Sequence, residues 1–381
     1  MSSATPTTTS AATDRHWLDR AAALAVRGHG GASPNPLVGC VIVSPEDRCV
    51  GAGHHRRCGG DHAEIRALAH AGAKAAGATM YVTLEPCSHQ GRTPPCVDAI
   101  IRAGIARVVF GVCDPTREAA GGGELLRRAG IEVTHTQTSA ATDVTAPFLW
   151  SQRTGLPWIT AKWAQSVDGR IATRTGASQW FSGDRARALV HRERGRVDAV
   201  LTGMGTVRSD DPLLTARNVR CKRIAKRVVI APRADLPLDS ALVQSARETP
   251  VILACLPTAA AETQQALKDH GVIVHKGVPE GTRLDLRETI SELATAHDIR
   301  TVLAEAGPGL ISSLLDVDLV REIAVFVAPL LVGDDQAPPP IRGFAPATVE
   351  AARSLVLRGQ YRRGNDMLVR YGVPEKPNSA G

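Results

Sequence analysis

Both halves of the chain alternate short apolar runs with stretches in which apolar residues recur three and four positions apart. The first pattern is typical of buried strands and the second of helices that pack on one face. In the first half, strands are predicted at residues 37–43, 79–84, 107–112 and 131–134. Helices are predicted over residues 14–26 and from His62 and Thr93 onward. This order predicts a three-layer α/β sandwich.

The second half continues the alternation with more strands. They are predicted at residues 158–162, 199–202, 227–231, 251–254, 272–275, 301–304 and 322–328. Helices are predicted at residues 184–196, 259–270, 285–297 and 309–315. Such an order predicts a doubly wound sheet, in which ligands bind at the carboxyl ends of the strands.

The segment Gly155-Leu156-Pro157 separates the two halves, and the predicted domains are residues 14–155 and 156–373. A chain of 381 residues is long enough for two domains that each have a core. Residues 1–13 are mainly Ser, Thr and Ala, and residues 374–381 are similarly poor in apolar side chains. Both ends are therefore predicted to be disordered tails.

Composition indicates a soluble globular protein, with 43% hydrophobic residues and a mean hydropathy of −0.07. We find no apolar run long enough to span a membrane, and residues 2–13 lack the apolar core of a secretion signal. The eight cysteines have no regular spacing, which favours a reducing compartment over a disulfide framework. A cytoplasmic location is therefore expected.

The net charge of +7 raises the question of nucleic-acid binding. Aromatic residues make up only 3% of the chain, and no basic run is interleaved with them for base stacking. We therefore expect no nucleic-acid partner. A phosphorylated substrate and a nucleotide cofactor would also be attracted by positive charge.

The candidate chemistry is concentrated between His62 and Cys96. One histidine and two cysteines, Cys87 and Cys96, can hold zinc and leave its fourth position to water, which distinguishes a catalytic from a closed structural site. Glu64 supplies a carboxylate that need not bind metal. In zinc deaminases such a glutamate carries protons between water, ring and departing amine.

Local patterns support this reading. Asp61 is a plausible N-cap for a helix that carries His62 and Glu64. Thr93, followed by two prolines that suit a first helical turn, is a plausible start for a helix that carries Cys96. A helix N-terminus favours the thiolate that zinc requires. The strand before Cys87 would deliver that thiol to the same edge.

The alternative to a zinc site is that the two cysteines are simply small buried residues of the core and that His-x-Glu occurs by chance. The combination of motifs in the right order favours a zinc deaminase. In the second half, Gly203-Met204-Gly205 lacks the third glycine of the dinucleotide fingerprint. The run from Glu305 to Leu310 could bind phosphate through backbone amides or could be an ordinary tight turn.

Base deaminases usually end their motif with Cys-x-x-Cys, whereas eight residues separate Cys87 from Cys96. With the segment from Pro34 to Val43, this spacing closely resembles the bifunctional deaminase–reductase family of riboflavin biosynthesis. The resemblance extends from about Trp17 to Tyr371 through further motifs: Asp114-Pro115, Gly121-Gly122-Gly123, Ser166-Val167-Asp168-Gly169-Arg170, Asp210-Asp211-Pro212 and Glu305-Ala306-Gly307-Pro308. It implies a cytidine-deaminase-like three-layer domain followed by a dihydrofolate-reductase-like domain.

For the first domain, the resemblance implies zinc-dependent hydrolytic deamination of a diaminopyrimidinone ribosyl phosphate, with Glu64 as the catalytic residue. It implies the zinc ligands His62, Cys87 and Cys96. The residues implied to contact the substrate are Asn35, His55, His89, Arg92, Asp114 and Thr116. Thr116 stands where the family usually has asparagine, and its hydroxyl is expected to donate to the phosphate.

For the second domain, the resemblance implies NADPH-dependent reduction of the ribosyl group to ribityl. The implied cofactor contacts are Ala164, Trp180, Thr206, Asp210, Gly307, Pro308, Gly309 and Leu310. The implied substrate contacts are Lys162, Ser178, Arg194, Leu214, Arg217 and Glu305. Arg194 and Arg217 suit phosphate clamps because guanidinium pairs bidentately with phosphate. A homo-oligomer, dimer or tetramer, is expected.

Two other functions are compatible with parts of the sequence. One is a deaminase of a nucleoside or RNA with a non-catalytic second domain, which a dependence on NADPH would exclude. The other is a zinc-stabilised binding module on a degenerate enzyme fold. Glu64 and an open zinc position argue against that module, because a structural site gains nothing from either.

Overall fold

The computed structural model describes residues 11–90, 94–116 and 120–376. The chain forms two compact units, Met1–Thr154 and Gly155–Gly381. In the described part of the chain, no helix is long and apolar enough to cross a membrane.

The first unit is a sheet with helices on both faces. Its helices are α1 Ala11–Ala25, α2 Ala63–Ala71, α3 Cys96–Arg102, α4 Gly122–Arg128 and α5 Ser139–Thr154. Its strands are β1 Gly39–Val43, β2 Cys49–His54, β3 Thr79–Leu84, β4 Arg107–Val112 and β5 Glu132–His135. The strand order is β2-β1-β3-β4-β5. Strand β1 is antiparallel to both neighbours, and β3, β4 and β5 are parallel.

Alternate residues of the strands supply two apolar cores. Cys40 and Ile42 of β1 pack with the side chains of α2 and α3 on one face. Val41 and Val43 pack with Trp17 of α1 on the other. This alternation follows from the two-residue side-chain period of a strand. The predicted three-layer α/β architecture is therefore confirmed.

Helix α2, which begins directly after His62, lies close against strand β2. A Cβ atom at Gly53 would be 2.4 Å from the carbonyl oxygen of Ala63, and one at Gly51 would be 2.5 Å from that of Ala67. Only glycine permits an approach this close. The backbone contact fixes where the first turn of α2 lies on the sheet.

The predicted helix starts need correction at two places. The N-cap of α2 is His62, which makes no side-chain capping bond, rather than Asp61. The carbonyl of Asp61 instead accepts from the ring of His55. Helix α3 begins at Cys96 with Pro95 as its N-cap in an extended conformation, so the two prolines precede the helix. Thr93 lies outside the described residues.

Several elements of the first unit differ from the prediction for local reasons. Strand β2 was not predicted because its glycines weaken the strand pattern. Helix α5 was not predicted because Pro147 interrupts its sequence. Helix α4 opens on glycines, and α1 begins at Ala11, earlier than expected.

The second unit contains one large sheet of nine strands, with helices between its parallel strands, and a separate small sheet formed by two further strands. Its helices are α6 Asp184–Arg194, α7 Met204–Asp210, α8 Ala241–Gln244, α9 Ala261–Asp269, α10 Leu286–Ala296 and α11 Pro308–Asp316. Its strands are β6 Trp158–Gln165, β7 Ala199–Gly203, β8 Lys226–Ile230, β9 Val251–Cys255, β10 Ile273–Lys276, β11 Pro279–Glu280, β12 Arg283–Leu284, β13 Thr301–Ala304, β14 Val320–Val327, β15 Val356–Arg363 and β16 Asp366–Gly372. Strands β11 and β12 form the small sheet.

The nine-stranded sheet has the order β10-β9-β8-β7-β13-β6-β14-β16-β15. Its strands from β10 to β14 are parallel, as predicted, whereas β16 and β15 add an antiparallel edge. This edge pair was not predicted because β15 is largely exposed and shows no regular apolar alternation. Helices α7 and α8 are short and also escaped prediction. Because β6, β13 and β7 are parallel neighbours, their carboxyl ends lie at the same edge of the sheet.

We predict that Gly53→Ala lowers the deaminase activity expected of the first unit and leaves the reductase activity expected of the second unit near normal. The added methyl group would push α2 away from β2, and overpacking of this kind typically costs ~1–3 kcal/mol. His62 and Glu64 would move with the helix. Steady-state assays of both activities test this, and full deaminase turnover in the folded variant would contradict the proposed packing constraint.

Candidate active sites

Three elements of the first unit bring a histidine and two cysteines together. His62 precedes α2, Cys87 follows the end of β3, and Cys96 is the first residue of α3. The Nδ1 atom of His62 is 3.2 Å from the Sγ of Cys96 and 3.5 Å from the Sγ of Cys87. The three ligand atoms all lie within 4.8 Å of one another.

This cluster fits zinc in both geometry and donor type. Zinc–sulfur bonds of about 2.3 Å and zinc–nitrogen bonds of about 2.0 Å place neighbouring tetrahedral ligands about 3.5 Å apart. Thiolates and imidazole are ligands that zinc prefers. The expected residues can therefore supply three ligands, which would leave a tetrahedral ion one further position.

The two thiols of the cluster have different proton affinities. The pKa of Cys87 is lowered to about 4, first because the Cys96 thiol donates a hydrogen bond to its sulfur and then because His62 is adjacent. The backbone N–H of Cys96 also donates to the Sγ of Cys87, at 3.4 Å. The same thiol–thiol contact, followed by burial, raises the pKa of Cys96. The pair therefore favours a thiolate, the form that zinc binds.

Glu64 lies beside this cluster but is not part of it. Its side chain is buried, with 4% of the residue surface exposed, in the first turn of α2. Burial raises the pKa of this carboxyl. Glu64 lines the same cavity as His62 and Cys87, so it can exchange protons with a molecule held there.

The cavity has a volume of about 490 Å³. Five of the six residues expected to contact the deaminase substrate line it: Asn35, His55, His89, Asp114 and Thr116. The sixth, Arg92, lies outside the described residues. The fold therefore gathers side chains from distant parts of the sequence around the cysteine–histidine cluster.

Hydrogen bonds orient two of these residues. The Nδ1 atom of His55 is 3.1 Å from the carbonyl oxygen of Asp61, and its Nε2 atom is 3.1 Å from the Nδ2 atom of Asn35. Because a carbonyl only accepts, Nδ1 donates and Nε2 accepts from the Asn35 amide. Burial lowers the pKa of His55, which favours this neutral form. The Oδ1 atom of Asn35 also accepts from the Cys58 thiol, at 3.8 Å.

The structure adds residues that the sequence did not single out. Glu85 accepts hydrogen bonds from the backbone N–H of Gly123, at 2.9 Å, and of Asp114, at 3.3 Å. It therefore ties the start of α4 to the turn after β4. The sequence did offer one signal for the importance of Glu85, because this residue directly precedes Pro86-Cys87. Further cavity-lining residues that were not singled out include Phe148 and Gln152.

Thr116 makes a contact that differs from the expected one. Its hydroxyl donates to the Oδ1 atom of Asp114 at 2.6 Å, and its backbone N–H donates to the same oxygen at 2.9 Å. In this arrangement the Thr116 hydroxyl proton is directed to Asp114 rather than outward to a phosphate. The side chain holds the turn, and its remaining lone pairs can only accept.

A second cluster, of charged residues, lies in the second unit and is centred on Glu305 directly after β13. Its carboxylate accepts from the Nε and Nη2 atoms of Arg194 at 2.6 and 3.0 Å, and the Nζ of Lys162 lies 3.5 Å away. The Glu305 side chain is 10% exposed. Burial raises its pKa, but Arg194 and Lys162 outweigh burial and hold the pKa at about 2. Glu305 is therefore ionised at neutral pH.

The contacts of Arg194 revise its expected role. The sequence predicts a phosphate clamp, but Nε and Nη2 bind Glu305 and Nη1 donates to the carbonyl oxygen of Thr215, at 3.1 Å. Arg194 therefore holds protein groups in place. Arg217, the other predicted clamp, is exposed, and its backbone N–H lies 3.3 Å from the Nδ1 of His191. Leu214 is buried in the adjoining turn.

Four of the residues expected to contact the cofactor lie near the ends of β7 and β13: Thr206, Gly307, Pro308 and Leu310. Gly307 is the N-cap of α11, and Pro308 is the first residue of the helix. A Cβ atom at Gly203 would lie 3.1 Å from the side chain of Leu310, so α11 begins against the end of β7. A Cβ atom at Gly307 would lie 3.9 Å from the Oγ1 of Thr206.

The other expected residues have these positions. Ser178 donates to the Oδ1 of Asp210 at 3.2 Å. Trp180 is 67% exposed and lies under the guanidinium of Arg187, at 4.5 Å from the ring centre. Ala164 follows Lys162 by two residues on β6. The exposed Gly309 lies in the first turn of α11.

Comparison with known proteins agrees with both halves. Residues 11–112 match the family model described as the cytidine and deoxycytidylate deaminase zinc-binding region. Residues 157–369 match the model described as the RibD C-terminal domain. The fold and these two matches define a deaminase with a zinc-binding region that is joined to a reductase.

Full-length relatives extend the match. The chain is 38% identical to riboflavin biosynthesis protein RibD of Actinobacillus pleuropneumoniae, over 95% of this chain and 96% of that protein. It is 41% identical to RibD of Escherichia coli, over 84% of this chain and 89% of that protein. A solved structure of Acinetobacter baumannii RibD matches with a TM-score of 0.81 and 34% identity, over 96% of this chain and all of that one.

The chain belongs to the RibD family of riboflavin biosynthesis proteins. It is a bifunctional enzyme with a deaminase and a reductase half. The expected cytidine-deaminase-like and reductase folds are likewise confirmed.

We predict that Cys58→Ala retains about one zinc ion per chain, whereas the matched variant Cys87→Ala loses it. Cys58 lines the cavity but lies outside the three-ligand cluster, and a fourth protein ligand would close the site. Atomic absorption on purified, dialysed protein measures the metal. Loss of zinc from Cys58→Ala would show that the site is closed.

Proposed function

We propose that the first half removes the exocyclic amine of a diaminohydroxyphosphoribosylaminopyrimidine with zinc. The second half then uses NADPH to reduce 5-amino-6-(5-phosphoribosylamino)uracil. A Thermotoga maritima structure described by these two activities matches the chain with a TM-score of 0.81 and 29% identity, over 96% of this chain and 99% of that one. The observation that carries the deaminase proposal is the ligand cluster beside the buried Glu64 in one cavity.

In the deaminase half, His62, Cys87 and Cys96 would hold zinc. Bound there, zinc supplies Lewis acidity that lowers the pKa of a water molecule to near neutrality. Glu64 would move two protons, first one from the attacking water to the ring nitrogen and then one from the newly attached hydroxyl to the departing amine. Its burial keeps the carboxyl from sharing its proton with bulk solvent.

The polar residues of the cavity wall would orient the substrate. His55 holds the Asn35 amide in one orientation through their hydrogen bond, so Asn35 can present its remaining donor and acceptor sites to a pyrimidine ring that lies beside both residues. His89 and Arg92 would contact the ribosyl phosphate. Asp114 and Thr116 form a turn that is braced by Glu85 and would shape the phosphate end of the cavity.

In the reductase half, NADPH would lie along the ends of β6 and β7 and the first turn of α11, and it supplies the hydride. The backbone N–H groups of that turn would receive phosphate, since a helix N-terminus attracts anions. Ala164, Trp180, Thr206 and Asp210 would form the rest of the cofactor surface, together with the residues from Gly307 to Leu310.

Lys162 and Glu305 would contact the ribosyl group that is reduced. Glu305 holds the ammonium group of Lys162 close to the strand ends, where it can donate to an oxygen of the sugar. Arg194 keeps the Glu305 carboxylate in place through two hydrogen bonds. Ser178 and Leu214 would complete this surface, and Arg217 would contact the phosphate, because it is exposed on the turn.

We predict that Glu64→Gln keeps its zinc and loses at least ~10²–10⁴-fold in deaminase turnover, the usual contribution of general acid–base assistance. The amide cannot carry the proton but preserves size and hydrogen bonding. Zinc content, ammonia release and NADPH oxidation would be followed on the same sample, with the reductase supplied with already deaminated substrate.

The matched control is Glu124→Gln, which alters an exposed glutamate of α4 and should leave both activities unchanged. Near-normal ammonia release from zinc-loaded Glu64→Gln would show that Glu64 has no catalytic role in deamination. A parallel loss of NADPH oxidation would indicate that the variant disturbs more than the deaminase site.

A further inference from the structure

Arg227 of strand β8 is a fully buried cation with 0% of its surface exposed. Burial of a guanidinium costs free energy unless its donors are satisfied. Nη1 donates to the carbonyl of Leu213, at 3.2 Å, and to the hydroxyl of Ser245, at 2.7 Å. Nη2 donates to the carbonyls of Ser245, at 3.1 Å, and Thr249, whereas the buried Nε has no hydrogen-bond partner among the described residues. Burial lowers the pKa of Arg227 to about 10, so it stays charged at neutral pH.

These acceptors belong to two separate segments. Ser245 and Thr249 follow helix α8, whereas Leu213 lies in the segment 211–218 that follows helix α7, here called the substrate turn. Arg227 itself is part of the central sheet through its pairing with β7 and β9. Its guanidinium therefore ties the substrate turn to the sheet and to the segment after α8.

The substrate turn has an unusual backbone. Asp211, Leu214 and Asn218 have φ values of 37°, 54° and 56°. Residues other than glycine adopt this left-handed region rarely, and such conformations persist only where surrounding contacts hold them. One such contact is made by Asp211, whose Oδ1 accepts from the backbone N–H of Ala241 at 2.8 Å.

A second arginine holds the turn on the other side of Leu214. The carbonyl of Thr215 accepts from the Nη1 of Arg194, at 3.1 Å, and lies 3.0 Å from the Nδ1 of His191. The side chain of Arg194 is only 12% exposed. Leu214 is thus flanked by two carbonyls, each bound by an arginine, and Arg217 follows two residues after Thr215.

We propose that Arg227 is a positioning residue of the reductase site, which holds the substrate turn so that the backbone at Leu214 and the side chain of Arg217 meet the phosphorylated end of the substrate. This inference rests on the proposed assignment of those two residues to the substrate. Arg227 acts from inside the protein through the Leu213 carbonyl. Without this bond the turn would have to be ordered during binding, and the cost would appear in substrate affinity.

The test compares Arg227→Lys with Ser245→Ala. Lysine keeps the charge but cannot reach both segments with one nitrogen. Ser245→Ala removes an acceptor on the far side and leaves the bond from Arg227 to Leu213. In Arg227→Lys, KM for the phosphoribosyl substrate should rise about 10-fold or more, because a misplacement of about 1 Å can cost 100-fold.

Three further values in Arg227→Lys distinguish positioning from general loosening. The kcat, KM for NADPH and KM for the dephosphorylated substrate should stay within about twofold of the wild type, since only the phosphate contact is misplaced. Ser245→Ala should keep the wild-type KM for the phosphoribosyl substrate. Thermal unfolding of both variants shows whether they remain folded.

Several outcomes would overturn the proposal. They are an unchanged substrate KM in folded Arg227→Lys, an equal rise in KM for NADPH, or a failure of this variant to fold while Ser245→Ala folds. The last outcome would make the role structural only. Arg217→Ala separates this inference from the assignment beneath it. If its KM is unchanged, the assignment of Arg217 fails; if its KM rises while that of Arg227→Lys does not, only the positioning role fails.

Discussion

Burying a charged side chain costs free energy unless the charge is paired or neutralised, and each half of this chain buries a glutamate at its site. Glu64 is buried beside thiols, and its pKa is raised, so it can carry a proton. Glu305 is paired with Arg194 and Lys162 and remains ionised. Because the two carboxyls have opposite environments, one suits proton transfer and the other suits fixed electrostatic support.

Both sites depend on backbone packing at a distance from the reacting groups. In the deaminase half, Gly53 lets α2 approach β2, and the helix start then carries His62 and Glu64 to the cavity. In the reductase half, Arg194 holds Glu305, and buried cations hold the turn around Leu214. The chemistry is therefore placed by elements that need not touch the substrate.

The sequence predicted the parallel strands and the zinc cluster because both have local signals: continuous apolar runs, and ligands close to the ends of helices and strands. It did not predict the edge strands β15 and β16, because an exposed edge has little apolar alternation. It also assigned Arg194 to phosphate, although that side chain binds Glu305, 111 residues away. Such pairings follow from tertiary packing, which a short stretch of sequence does not encode.

We expect the two sites to work independently, with only the first requiring zinc. The most direct measurement removes zinc with a chelator and follows ammonia release and NADPH oxidation on the same sample, each with its own substrate. Deamination should stop and should return when Zn²⁺ is added back, while NADPH oxidation continues throughout. Loss of both activities in folded, zinc-free protein would contradict this expectation.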